Sequence, residues 1–133
     1  MTAANEPDNP KAWLRHARSN LILAETGKQR GVILEDLCFE AQQAAEKALK
    51  GVCVLRKVEF PKTHSLVTLT GLLEQANVPI PPEIKEADLL TFFAVQARYP
   101  GWDETMTEAE YLHALDIARQ VVSWAAKMIR EEI

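Results

Sequence analysis

The sequence predicts an all-α fold, an up-and-down helical bundle of about five helices, and three observations carry that expectation. Apolar residues recur at spacings of three and four along most of the chain. No segment alternates with period two for long enough to form a strand. Breaks marked by proline and glycine divide the chain into segments joined by short loops, as antiparallel helical neighbours require. The length of 133 residues is that of one domain. Residues 1–9 read as a disordered tail and residues 10–133 as a single helical domain.

The first helix starts at Asn9-Pro10, with Asn9 as N-cap and Pro10 at the first helical position. Trp13, Leu14, Ala17, Leu21 and Ala24 make one stripe, and Gly27 is the expected stop. The second segment, 33 to about 57, is the longest. Leu34, Leu37, Ala41, Ala44, Ala48, Val52 and Leu55 fall within an arc of about 80°, as expected of a central helix. Gly51 in its interior costs ~1 kcal/mol relative to Ala and points to another backbone packed close by. Phe60-Pro61 breaks the pattern. Thr63 or Ser65 caps a third helix through Leu66, Leu69, Leu72 and Leu73. A proline-rich loop follows, and Pro82 opens a fourth helix that runs to about Arg98, where Tyr99-Pro100 stops it. Thr107-Glu108-Ala109-Glu110 is a capping box for the last helix. That helix carries two stripes: Tyr111, Leu115, Ala118, Val122, Ala125 and Ile129, and Ala114, Ile117, Val121, Trp124 and Met128. The second stripe is either an extension of the core or part of a homodimer surface.

Composition bounds the function. The hydrophobic fraction is 47% and the charged fraction 26%, both ordinary for a soluble globular domain. A net charge of -4 excludes a strongly basic surface for long nucleic acid but leaves room for a local basic pocket. No apolar run approaches the ~20 residues of a membrane span. The polar first residues lack the apolar core of a signal peptide, so the expected compartment is the cytoplasm. Cys38 and Cys53 lie on one predicted helix, ~22 Å apart along its axis, beyond the ~7 Å limit for a disulfide. No CxxC or HExxH occurs, and neither a metal nor a cofactor is expected.

Three constellations could carry chemistry. On the polar face of the long helix stand Glu40, Gln43, Lys47 and Lys50, with Glu46 nearby. Ordinary solvated i,i+4 pairing, such as Glu46 with Lys50, is the plain structural reading. His64, in Lys62-Thr63-His64-Ser65-Leu66, stands at a helix start where free N–H groups attract anions and where its titration near neutral pH suits proton transfer. Its structural reading is a capping histidine. His16 and His113 have no partner nearby in sequence and read as structural. Arg98-Tyr99-Pro100-Gly101-Trp102 joins a planar phosphate-binding fork to two aromatic rings, or else caps a helix and fills the core edge. Alternation of helices places Arg98, Tyr99 and His64 at one end of the bundle, with Gln43 close by. Lys47 is the outlying member, ~15 Å back from the end of the second helix. Such a pocket would hold an anion on Arg98, on free N–H groups before Leu66 and on Lys62.

The block Phe39-Glu40-Ala41-Gln42-Gln43-Ala44-Ala45-Glu46-Lys47-Ala48-Leu49-Lys50, then Thr63-His64-Ser65-Leu66, then Ala97-Arg98-Tyr99-Pro100, resembles the HEPN domain family, named for higher eukaryotes and prokaryotes nucleotide-binding. The likeness spans residues 10–130 and is closest to prokaryotic stand-alone members of an Arg-Tyr-Pro branch. It implies a helical bundle that dimerises, with a separately encoded minimal nucleotidyltransferase as partner in a toxin–antitoxin-like pair. Many members are metal-independent ribonucleases whose arginine and histidine are separated by four to six residues and face each other across the dimer. Here Arg98 matches, but the next histidine, His113, follows after fourteen intervening residues. The resemblance therefore implies a homodimeric partner subunit that binds a nucleotide or another anion through Arg98, Tyr99, His64, Lys47, Gln43 and Trp102. The alternative is a ribonuclease acting on RNA, with Arg98 stabilising charge and His64 moving protons.

Overall fold

The computed structural model describes residues 8–91 and 106–132. Helix α1 spans Pro10–Thr26; the Asn9 side chain accepts from the Lys11 N–H, as the sequence predicts. Gly27 ends it with a right-handed φ of -80°. Glycine is needed there for room, since a Cβ would lie 2.7 Å from the Leu23 carbonyl oxygen and from Leu37 Cδ2. Helix α2 spans Leu34–Leu55, with Glu35 and Asp36 in its first turn, where carboxylates favour the helix dipole. Helix α3 spans Leu66–Gln75. Of its two candidate caps, Ser65 accepts from the Thr68 N–H, while Thr63 accepts from Ser65 itself.

Within the described residues the fourth segment, expected as one helix over 82–98, is interrupted by a 3-10 turn before Leu90 and Thr91 return to helix, and 92–98 lie outside the described residues. Helix α4 covers only Pro82–Lys85, and a 3-10 turn follows over Glu86–Leu89. The tighter turn coincides with a polar tie to α3: Thr70 Oγ1 donates to Asp88 at 2.9 Å, and Lys85 reaches Glu74 at 2.8 Å. Helix α5 spans Glu108–Glu132. Its capping box forms in both directions, Thr107 N–H to Glu110 at 2.9 Å and Glu110 N–H to Thr107 Oγ1 at 3.1 Å.

No strand occurs among the described residues, and the all-α class is as the sequence predicts. Helix α2 is the centre, packed on α1, α3 and α5. Helix α1 runs antiparallel to α2, with Asn20 on Glu40 in the middle and Trp13 against Gly51 near one end. Helices α2 and α5 run parallel: Glu35 accepts from Met106 at their start, and Gly51 meets Ile129 toward their ends. Helix α4 is antiparallel to both α3 and α5, because Leu66 meets Thr91 while Glu74 meets Lys85, and Leu90 and Ile84 line clefts at Ala114 and Trp124 respectively. It follows that α3 runs in the same direction as α2. The chain between them is a returning segment, not a helical hairpin.

The close approach expected at Gly51 is present. A Cβ there would sit 3.1 Å from Trp13 Cβ and 3.4 Å from the Pro10 carbonyl oxygen. The second stripe of α5 belongs mainly to the intrachain core. Ala114, Ile117 and Val121 are buried, and only Trp124 and Met128 are half-buried. The wide apolar arc follows from α5 facing α1, α2 and α4 together.

Candidate functional site

The site is built by the return of residues 56–65 along α2. Lys57 takes a positive φ of 58° and starts the reversal, and Val58 N–H closes on the Cys53 carbonyl at 2.8 Å. Phe60 then lands in the core, 1% exposed, edge-on to Trp13 at 6.2 Å. Four residues later the His64 carbonyl accepts from the Gln42 side chain at 3.0 Å. An extended segment thus carries His64 back from the end of α2 to its middle.

There it meets a buried charge. Glu46, with its side chain 3% exposed, sets Oε1 3.0 Å from His64 Nδ1 and Oε2 3.0 Å from Lys50 Nζ. Gln42, fully buried, donates to Glu46 Oε1 at 3.3 Å, and Gln43 donates to Gln42 at 3.4 Å. Lys50 lies 5.6 Å from the centroids of both the Trp13 and the Phe60 ring, close enough for cation–π attraction on each. Neither charge is solvated, so the pairing and the two rings are what make burial tolerable. The solvated i,i+4 pair expected at Glu46–Lys50 is corrected accordingly.

The geometry fixes the role of the histidine ring. A carboxylate only accepts, so Nδ1 donates to Glu46 and Nε2 is left for a ligand or a proton. The His64 side chain is 75% exposed, so solvent reaches the ring while its orienting partner is dry. The Glu46–Lys50 pair is neutral as a unit and adds no net charge against an anion at Nε2.

The expected cradle of free N–H groups at the start of α3 is largely absent. Ser65 N–H goes to Thr63 Oγ1, Leu66 N–H to Thr91 Oγ1 at 3.4 Å and Thr68 N–H to Ser65 Oγ. The contact with Thr91 brings the last described residue of the fourth segment to the start of α3, two residues after His64. Of the residues singled out by sequence, Gln43 is linked to His64 only through Gln42, to which it donates, and Lys47 lies half-buried next to Glu46 on α2. Arg98, Tyr99 and Trp102 lie outside the described residues. Glu46 and Lys50, which the sequence places in the polar constellation of the long helix as a solvated pair, complete the cluster with Gln42, which sequence reasoning did not single out. No group of three or more metal-ligating side chains occurs among the described residues, and none of their helices is long and apolar enough to cross a membrane.

The HEPN domain model matches residues 10–129, and the chain belongs to the HEPN domain family. It is also similar to the crystal structure of an archaeal HEPN homologue, with a TM-score of 0.64 and 24% identity over 91% of this chain and 98% of that one. That likeness supports the fold. No curated protein matches the chain.

Proposed function

We propose that this HEPN chain is the homodimeric partner subunit of a separately encoded minimal nucleotidyltransferase in a toxin–antitoxin-like pair. A nucleotide or other anion is held between His64 and the Arg98-Tyr99-Trp102 segment. The observation that carries the reading is the spacing within the chain. Arg98 is in place, but fourteen residues separate it from His113, so the family's ribonuclease pair is incomplete. The His64–Glu46 contact supports a ligand role, because it presents Nε2 on an exposed ring. The Leu66–Thr91 hydrogen bond supports a shared pocket, because Thr91 lies seven residues before Arg98. The experiment is co-expression with the neighbouring nucleotidyltransferase reading frame. Stable co-purification and relief of any growth defect support the pair; independent behaviour of the two proteins overturns it.

One observation favours a second reading. A histidine oriented by a carboxylate is equipped for proton transfer, which a ribonuclease using Arg98 and His64 requires. Purified protein would then cleave single-stranded RNA in EDTA, and Arg98→Ala would abolish cleavage.

A further inference from the structure

A second charged feature shares no residue with the His64 cluster. The first half of α1 and the last turn of α5 enclose a groove of about 300 Å³ lined by Lys11, Leu14, Arg15, Arg18, Ile129 and Arg130. All four cations are exposed, whereas Leu14 and Ile129 beneath them are 4% and 0% exposed. Among the residues whose side chains are described, no carboxylate lines the groove. Among the described residues none of the four cations has an ion-pair partner, while Lys28, Lys50, Lys85 and Arg119 each have one. In a chain of net charge -4, this gathers unpaired positive charge in one place.

The arrangement selects among anions. Lys11, Arg15 and Arg18 follow one helix face at i, i+4 and i+7, a row of cations spaced ~5–6 Å apart. Like charges so placed repel one another until an anion lies along them. Three of the four are arginines, whose forked donors match phosphate oxygens. Within the groove the apolar floor of Leu14 and Ile129 is covered, so the groove itself offers a protein interface no apolar anchor. Among the described residues no ring lines the groove for a base to stack on, so phosphates are read and bases are not. We propose that this groove binds the phosphodiester backbone of a single-stranded nucleic acid without regard to sequence. The site is independent of the nucleotide proposed at His64.

The test is fluorescence anisotropy with a labelled oligouridine of about 12 nucleotides, a length within the usual span of single-strand sites. Four phosphate contacts give a salt slope of about -2.8 on logarithmic axes, so raising salt from about 50 to about 200 mM weakens binding ~50-fold. Arg15→Gln with Arg18→Gln halves that slope, and Arg15→Glu with Arg18→Glu weakens binding at least ~10-fold at the lower salt. Both positions are exposed, and a circular-dichroism melt checks that each variant remains folded. Arg30→Glu, an exposed charge reversal outside both sites, leaves the affinity unchanged. Absence of binding by the wild type at low salt, equal binding by the Arg15→Glu, Arg18→Glu variant, or equal loss of binding in Arg30→Glu would each overturn the proposal.

Discussion

Lys50 and Glu46 are the residues whose surroundings differ most from what their sequence positions promise. They sit on the side of α2 away from its alanine stripe, where a charged i,i+4 pair is normally solvated. Burial comes from Trp13 on α1 and from Phe60 on the returning segment, contacts 37 and 10 residues away from Lys50 in sequence. No local pattern encodes them. Lys50→Met leaves the buried Glu46 carboxylate without its lysine, held only by His64 and Gln42, and a loss of up to about 3–5 kcal/mol is expected in urea unfolding. Combining it with Glu46→Gln removes the stranded charge and recovers much of that loss. Equal instability of the single and double variants would show that the pair is not what holds the site. Gln43 and His64 were legible as site residues because their side chains are polar and stand at a helix face and a helix start. Lys50 was legible only as a charge.

At the level of elements, the caps were readable and the connections were not. Asn9, Ser65 and Thr107 each satisfy a backbone donor within three residues of themselves, so sequence alone suffices to find them. Thr107→Ala removes one half of the α5 capping box and should cost about 1 kcal/mol of stability, measured by chemical denaturation. The reversal at Lys57 and the 3-10 turn after α4 depend on what the chain packs against, and neither follows from periodicity. The reversal also corrects the geometric argument for the site. The start of α3 meets Thr91 of the fourth segment because residues 56–65 run back along α2, and simple alternation of helices does not achieve this. The same lesson applies to α5. Val121 is 0% exposed, so Val121→Glu should unfold the chain, read as loss of the cooperative thermal transition. A folded variant with an altered oligomeric state would contradict the burial and restore that stripe as an interface.

For the molecule as a whole, buried neutral groups set the alkaline limit of stability. Burial, with Glu35 and Glu110 next in effect, pushes the Cys38 thiol from an ordinary 9.0 to about 12. Burial does the same to Cys53, against an opposing pull from Lys50. Tyr111 is raised by burial, and its hydroxyl donates to the Ala24 carbonyl at 2.7 Å. Each group binds its proton more tightly folded than unfolded. Its contribution is therefore complete below the unfolded value and is lost as pH rises toward the folded one. The contribution of these groups to the melting temperature should be constant from neutral pH to about pH 9, and the melting temperature should fall progressively between about pH 9 and 12. A thiol reagent at neutral pH should label the cysteines only on unfolding.

Dimerisation is expected from the family, and sedimentation at tens of micromolar protein checks it. The central claim concerns one anion pocket shared by His64, held by Glu46, and the Arg98 segment. Calorimetric titration with ATP tests it most directly. The account predicts saturable binding to the wild type, weakened by about 1.5–3 kcal/mol, or roughly 10- to 150-fold, in His64→Ala and in Arg98→Ala alike. Unchanged affinity in both variants, or sensitivity to one residue alone, would contradict a shared pocket.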